Sequence, residues 1–162
     1  MTIALADPTA TQRAGAALAR WVTPGDAIAL VGELGAGKTA LVAGLVDAFD
    51  GGSATSPTFS LINEYRGRWP RAGGAAVVWH VDLYRLERAA ELVELGLDDV
   101  IGDRRGIVLI EWADRFDVMP SDHLRIELAH AGQGRILVAR GTGSRGAALA
   151  SAWTGDLLGS GR

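Results

Sequence analysis

The amino-acid sequence predicts an α/β fold, a three-layer sandwich with a mainly parallel central sheet and an antiparallel hairpin at its edge. Two continuous apolar runs, at residues 27–31 and 106–110, are typical of strands that are buried on both faces. Helical spacing of apolar residues follows the first run, and alternating apolar and polar residues flank a glycine-rich turn near residue 132. Alternation of helices with buried strands favours helices packed on a parallel sheet.

Length and composition limit the classes of protein. The chain has 162 residues, so we predict a single domain over residues 1–145 and a small-residue-rich C-terminal tail at 146–162 that frays. It contains no cysteine, which excludes disulfides, thiolate nucleophiles and cysteine metal sites. Its first residues lack the pattern of a secretory signal, and no apolar run reaches the roughly 18 residues of a membrane span. We therefore expect a cytoplasmic protein without membrane attachment.

The first half of the chain is predicted to form a helix, a strand, a loop and a second helix, in this order. Residues 9–21 carry apolar side chains at helical spacing, with Thr9 or Thr11 as the expected cap. The turn at 23–26 ends this helix and precedes the apolar strand 27–31. Helical periodicity returns at 39–49. This order places a glycine-rich loop between a buried strand and a helix.

The second half contributes the remaining strands. We predict strands at 59–65 and 75–81 with a basic loop at 66–74 between them, then a short helix at 87–95 that ends at Gly96. The strand 106–110 follows. Segments 123–128 and 135–140 alternate around residues 131–134, which predicts an antiparallel hairpin at the sheet edge.

The segment from Gly32 to Thr39 reads GELGAGKT and has the spacing of a phosphate-binding loop. Glycines let the backbone turn several N–H groups towards one anion, and the following helix adds the positive end of its dipole. Lys38 is the single lysine of the chain, and its compact ammonium group suits a tight loop better than an arginine would. Thr39 places a hydroxyl within reach of Mg²⁺ on the phosphates. We therefore predict a P-loop NTPase-like protein that binds ATP with Mg²⁺.

Two acidic residues directly follow buried strands. Asp82 ends the run at 75–81, and Glu111 ends the run at 106–110. The carboxyl ends of strands form the ligand-binding edge of α/β sheets. Either carboxylate could hold Mg²⁺ while the other orients or deprotonates the attacking water, and the spacing leaves both assignments open.

Other polar and aromatic residues stand close to these acids in the sequence. His80 shares a strand face with Asp82, so it either contacts the site or belongs to the core. Ser56, Pro57, Thr58 and Phe59 form a segment that could sense the γ-phosphate, or could equally be a plain turn before a strand. Aromatic and basic residues also stand beside the acids: Tyr84, Arg85 and Trp112. An exposed tryptophan there would indicate a docking surface and a buried one only packing, and we favour docking.

Three arginines of the predicted basic loop have several interpretations. Arg66, Arg68 and Arg71 could form a lid over phosphates, a patch for a polyanion, or a solvated loop. The net charge of −3 gives the chain no overall field for a phosphate backbone. We therefore expect no binding of nucleic acid by this chain alone.

Four segments taken in order resemble the TsaE (YjeE) family. They are the glycine loop, Ser-Pro-Thr-Phe at 56–59, His-Val-Asp-Leu-Tyr-Arg-Leu at 80–86 and Ile-Glu-Trp at 110–112. Many NTPases have such a glycine loop, whereas the last two segments are far more specific. The resemblance runs from about Thr11 to Arg140. It implies a small bacterial P-loop ATPase needed for the threonylcarbamoyl modification of adenosine 37 in tRNAs that read codons beginning with A.

The resemblance also implies roles for residues. Thr39 and Glu111 would bind Mg²⁺, and Lys38 and Asp82 would be catalytic. The nucleotide contacts would be Glu33, Leu34, Gly35, Ala36, Gly37, Lys38, Thr39 and Ala40, together with Thr11 and Arg135. The residues that report nucleotide state or meet a partner would be Ser56, Pro57, Thr58, Phe59, His80, Tyr84, Arg85 and Trp112. The chain departs from the family at Ala40, where a second threonine is common, and this affects only an auxiliary hydroxyl.

By resemblance, the cofactors are ATP or ADP with Mg²⁺, and the partners are TsaD-like and TsaB-like proteins that form a heterodimer. Slow ATP hydrolysis would reset that complex between turnovers, and tRNA would be contacted only indirectly, through the complex. The main alternative is a small-molecule or nucleotide kinase, with Arg66, Arg68 and Arg71 as its lid and Asp82 as its base. A GTPase is nearly excluded, because the Asn-Lys-x-Asp guanine motif requires a second lysine.

Overall fold

The fold is seen in a computed structural model that describes residues 1–159. That range contains seven strands and five helices. The strands are β1 (Thr2–Leu5), β2 (Ala27–Val31), β3 (Ile62–Arg68), β4 (Ala75–Asp82), β5 (Gly106–Glu111), β6 (His123–Ala131) and β7 (Gly134–Thr142). The helices are α1 (Pro8–Leu18), α2 (Lys38–Ala48), α3 (Ala89–Glu94), α4 (Leu97–Ile101) and α5 (Gly143–Gly159).

All seven strands belong to one sheet in the order β1-β7-β6-β2-β5-β4-β3. The four central strands β6, β2, β5 and β4 run parallel. Antiparallel pairs flank them on both sides, β3 on β4 at one side and β7 and β1 at the other. The mixed α/β prediction is confirmed, and the parallel character is limited to the middle of the sheet.

Helices pack on both faces of the sheet. Alternate residues of each central strand point to opposite faces, as the strand period of two requires. On one face, Ile28 and Leu109 belong to a cluster with residues of α1, α2 and α5. On the other face, Ala29 and Ile110 pack with the smaller helix α4 through Leu97. The central strands are buried on both sides, which explains their continuous apolar runs.

The predicted edge position of the hairpin is wrong. β6 and β7 form the antiparallel hairpin, but β6 pairs with β2 and β7 is covered by β1. β1 was missed because it has only four residues before Asp7 and Pro8. Ile3 and Leu5 of β1 are buried and extend the core to the true edge of the sheet.

Several element boundaries also differ from the predictions, and two of these differences have a clear physical reason. The cap of α1 is Asp7, whose Oδ1 accepts a hydrogen bond from Ala10 N at 2.6 Å, and Pro8 begins the helix. The strand predicted from residue 59 begins at residue 62, because Leu61 has a φ of 64° that interrupts extended backbone. The segment 56–61 is consequently a loop.

The fraying expected of the C-terminal tail is wrong for the residues that the structure describes. Residues 143–159 form α5, the longest helix. Asp122 accepts hydrogen bonds from the backbone N–H groups of Arg145 and Gly146 at 3.1 and 2.6 Å, which satisfies the first turn. Trp153 is fully buried and donates from Nε1 to Ala14 O at 3.0 Å. Residues 160–162 of the predicted tail lie outside the described residues.

None of the helices within residues 1–159 combines the length and the apolar character needed to cross a membrane.

Candidate functional site

The glycine loop connects β2 to α2 at the carboxyl end of the parallel strands. Gly32, Gly35 and Gly37 have φ values of 149°, 75° and 106°, which residues with a Cβ rarely adopt. A Cβ on Gly32 would lie 2.3 Å from Leu128 O, so close packing on β6 adds a second requirement for glycine. Gly37 is the N-cap of α2, and the free N–H groups of the first helical turn therefore open towards the loop.

Lys38 lies at the start of α2 with 4% of its surface exposed. Its ammonium group donates to Gly32 O at 2.6 Å and to Glu33 O at 2.9 Å, and lies 4.3 Å from the centroid of the Trp112 ring. Burial lowers the pKa of Lys38 from 10.5, an effect opposed by the negative charges of Glu111, Asp82 and Asp114. Loop carbonyls and an aromatic ring thus hold a partly desolvated cation inside the loop.

Thr39 and Glu111 are joined directly. Thr39 Oγ1 donates to Glu111 Oε1 at 2.9 Å, and the same oxygen lies 2.8 Å from His80 Nε2. Glu111 ends β5, and Asp82 ends the neighbouring strand β4 in register with it. The sheet therefore places the two predicted carboxylates side by side, and both are at least 96% buried, with exposures of 4% and 3%.

Asp82 contacts the loop at 56–61. Its Oδ2 accepts from Thr58 Oγ1 at 3.2 Å, and Ser56 Oγ lies 2.7 Å from the same hydroxyl. Its Oδ1 accepts from Tyr84 N at 2.8 Å. A chain of hydrogen bonds therefore runs from the strand end to a surface loop, as a loop that responds to the site would require.

One cleft of about 220 Å³ joins most of these residues. All of the twelve residues that line it were predicted as site residues: Leu34, Gly35, Gly37, Lys38, Thr39, Ala40, Ser56, Thr58, Asp82, Tyr84, Glu111 and Trp112. Predicted residues outside this lining are Glu33, Ala36, Thr11, Arg135, Pro57, Phe59, His80 and Arg85. Of these, Ala36, Thr11, His80 and Pro57 are buried.

Thr11 and Arg135 lie against the glycine loop. Arg135 donates from Nε to Ala36 O and from Nη2 to Gly35 O, both at 3.0 Å. The methyl group of Thr11 lies 3.4 Å from the position that a Cβ on Gly37 would take. In this structure both residues support the loop.

Aromatic and apolar side chains surround the mouth of the cleft. The rings of Tyr84 and Trp112 lie 5.0 Å apart, and Trp112 has a φ of 58°, an uncommon conformation for a bulky residue. The Arg85 guanidinium lies 4.2 Å from the Phe59 ring, which is 84% exposed. Leu34 at the loop tip is 75% exposed. Large apolar side chains are therefore exposed beside a polar site.

The lid interpretation of the three arginines is wrong. β3 is antiparallel to β4, so Arg68 pairs with Ala75 at the amino end of β4, opposite Asp82. Arg66 and Arg68 line a separate cleft, and the Arg71 guanidinium lies 4.5 Å from the Trp21 ring. Asp114, by contrast, was missed and raises the pKa of Lys38 by its charge.

The donor set fits Mg²⁺ only together with a phosphate ligand. Within the described residues, no group of three or more His, Asp or Glu side chains is arranged to hold a metal ion. The cleft instead offers the Thr39 hydroxyl and two carboxylates, all hard oxygen donors of the type Mg²⁺ prefers. A hydroxyl has one donor and two lone pairs, so Thr39 can donate to Glu111 and still coordinate a cation.

Comparison with known proteins agrees with the sequence motifs. Residues 5–137 match the family model described as threonylcarbamoyl adenosine biosynthesis protein TsaE. The chain belongs to the TsaE family. A protein of Nostoc sp. named tRNA threonylcarbamoyladenosine biosynthesis protein TsaE is 41% identical over 137 residues, or 82% of this chain and 80% of that protein. Its counterpart in Bacillus subtilis is 34% identical, covering 78% and 75% of the two chains.

A solved structure extends the TsaE assignment to the fold. The crystal structure of Bacillus subtilis YdiB matches with a TM-score of 0.74 and 26% identity, covering 100% of this chain and 96% of that one. The predicted resemblance to the TsaE family is therefore confirmed. The relatives' names place the family in the biosynthesis of threonylcarbamoyladenosine in tRNA.

Proposed function

We propose that this TsaE-family chain binds ATP with Mg²⁺ in a P-loop sandwich fold and hydrolyses it slowly as an accessory subunit of the tRNA-modifying machinery. Its partners would be TsaD-like and TsaB-like proteins that together install threonylcarbamoyl on adenosine 37. Contact with tRNA would be indirect, through that complex. The family assignment supports the pathway, and the cleft supports the chemistry.

One observation carries the proposal: the glycine loop, Lys38, Thr39 and two strand-end carboxylates converge on a single cleft. The loop and the start of α2 offer backbone N–H groups for an anion. Within residues 1–159, the partners of the Lys38 ammonium group are two carbonyls and a ring, so it can turn to a phosphate without breaking an ion pair. These groups match the needs of a triphosphate better than those of an uncharged ligand.

Each residue has a distinct role in this proposal. Thr39 and Glu111 would hold Mg²⁺, because the hydroxyl of Thr39 contacts Glu111 and not Asp82. Mg²⁺ would supply neutralisation of the phosphate charge. Asp82 would orient the attacking water and accept its proton, since Thr58 and Tyr84 N fix its carboxylate at the cleft wall.

The rim of the cleft supports a partner-dependent activity. Phe59 and Leu34 are exposed beside the site, and the hydrogen bonds from Ser56 through Thr58 to Asp82 link this surface to the proposed catalytic acid. A partner bound on this rim would cover exposed apolar side chains. Through these hydrogen bonds, it would at the same time act on Asp82. The kinase alternative has no comparable support, because its expected arginine lid lies at the other end of β4.

Reconstitution tests the proposal. The purified chain should release phosphate from ATP slowly, and addition of TsaD-like and TsaB-like proteins from the same organism should form a nucleotide-dependent complex by size-exclusion chromatography. Rapid turnover without partners would contradict the accessory role. Transfer of the phosphate to a small molecule instead of water would favour a kinase.

A further inference from the structure

His80 is a buried histidine directly beneath the cleft. It lies on β4 two residues before Asp82 and pairs in register with Leu109 of β5. Its side chain has 0% exposure and lines no part of the cleft surface. The ring therefore cannot touch a nucleotide, and any functional role has to pass through a neighbouring side chain.

That neighbour is Glu111. His80 Nε2 lies 2.8 Å from Glu111 Oε1, and a carboxylate oxygen accepts hydrogen bonds, so Nε2 carries the proton. Thr39 Oγ1 donates to the same oxygen. Within residues 1–159, Oε1 thus takes both hydrogen bonds, and no protein group donates to Oε2. The carboxylate is held by one oxygen while the other stays available to the cleft.

The other ring nitrogen of His80 makes this arrangement unfavourable for the stability of the fold. Nδ1 is buried and has no hydrogen-bond partner among the described residues. An apolar side chain of similar size would fill the same space without a desolvated, unpaired nitrogen. Packing therefore does not explain a histidine at this position, whereas the Nε2 donor to Glu111 does.

We propose that His80 is a positioning residue that holds Glu111 Oε1 by hydrogen bonding, so that Oε2 faces the Mg²⁺ of the nucleotide site. The inference rests on the proposed function and deepens it. Second-layer donors of this kind fix the orientation of a metal-binding carboxylate and set its affinity for the ion. His80, predicted from sequence as a partner or switch residue, acts in this account on the metal.

The test compares ATP affinity with Mg²⁺ and with EDTA, by calorimetry, in the full chain and three variants. His80→Gln places an amide N–H near the position of Nε2, whereas His80→Asn ends near the position of Nδ1, and His80→Leu removes the donor. In His80→Asn and His80→Leu, the gain in affinity that Mg²⁺ provides should fall by about 10- to 100-fold, the usual effect of losing such a donor. Affinity in EDTA should stay unchanged, and His80→Gln should recover most of the gain.

The outcomes separate the two claims. If the wild-type chain binds no ATP under either condition, the proposed function fails and the role of His80 fails with it. If Mg²⁺ raises the ATP affinity of the wild-type chain and of His80→Asn by the same factor, only the role of His80 is overturned. A loss of affinity in EDTA as large as the loss in Mg²⁺ would show a merely structural role and would also overturn it.

A measurement on the wild-type chain covers the case in which the variants do not fold. Selective ¹⁵N labelling of histidine reports which ring nitrogen carries the proton. The His80 ring should be protonated on Nε2, with a proton protected from exchange by its bond to Glu111. Protonation on Nδ1 alone would leave Glu111 without that donor and would overturn the proposal.

Discussion

Charged side chains are buried at two ends of the sheet, and they are paired in different ways. At the amino end of β2, Asp26 accepts from Arg145 Nε at 2.8 Å and from Thr23 N at 2.7 Å, with Arg145 also bound to Trp21 O. At the carboxyl end, Lys38 donates to two backbone carbonyls. Within residues 1–159 it forms no ion pair, although two carboxylates line the same cleft.

This difference separates stability from binding. Asp26 and Arg145 satisfy each other and join α5 to the start of β2, so their interaction is complete without a ligand. The cleft instead keeps a cation, a hydroxyl and two acids close together but incompletely paired, an arrangement that costs stability unless an anion and a metal complete it. Substitutions at the two ends should therefore change different quantities.

The largest effect is expected for Lys38→Ala. Removal of a buried cation that binds phosphate should weaken Mg·ATP binding by about 30-fold or more, because loss of one partner of a buried charged contact costs about 2–5 kcal/mol. Calorimetry measures this affinity. Arg68→Ala, which removes an equal charge at the opposite end of β4, should leave the affinity within about twofold. Equal ATP affinity of Lys38→Ala and wild type would contradict the claim that the charged groups at the carboxyl end of the sheet serve binding.

Asp82→Asn should separate binding from turnover within the cleft. The amide keeps the shape and the contact from Thr58 but accepts a proton poorly, so ATP hydrolysis should fall by about 100-fold while ATP affinity stays close to wild type. Single-turnover phosphate release measures the chemical step. A wild-type rate in this variant would exclude Asp82 from the mechanism.

Arg145→Met should show the opposite behaviour to the cleft variants. Loss of the hydrogen bonds to Asp26 and Trp21 O should lower the free energy of unfolding by about 1–3 kcal/mol, with ATP affinity unchanged. Urea denaturation measures this stability. Arg140→Met is a matched control, because its bond to Glu127 is exposed and worth under about 1 kcal/mol. Equal destabilisation by both variants would show that the Arg145–Asp26 contact contributes no more to stability than the exposed Arg140–Glu127 contact.

The smallest effect is expected from pH. Burial lowers the pKa of Lys38 below 10.5, and only protonated lysine attracts phosphate. ATP affinity should therefore be full below this pKa and decline as the pH rises through it, starting on the acid side of 10.5. Affinity measured up to that pH, with circular dichroism to confirm folding, tests the direction. A flat profile would mean that Lys38 does not contribute as a cation.

The sequence predicted the cleft better than the periphery, for physical reasons. The glycine loop can be located from the motif alone, and Asp82 and Glu111 meet because parallel strands end at one edge. The arginine lid was wrong because the antiparallel direction of β3, which no local pattern encodes, carries Arg68 away from the site.

Elements with weak local signals needed tertiary contacts to form. β1 has four residues and gains its hydrogen bonds from β7. α5 is rich in small residues, and its stability depends on Trp153 in the core and on Asp122 at its first turn. Which atom of His80 faces Glu111 is likewise a property of side-chain packing, which the period of two along β4 does not give.

A crystal structure with Mg²⁺ and a non-hydrolysable ATP analogue tests the central claim most directly. We expect the phosphates within hydrogen-bonding distance of the N–H groups of residues 35–39, Lys38 Nζ turned from Gly32 O towards them, and the metal beside Thr39 and Glu111. An analogue bound elsewhere, with Lys38 still on Gly32 O and Glu33 O in a loop without phosphate, would contradict the account.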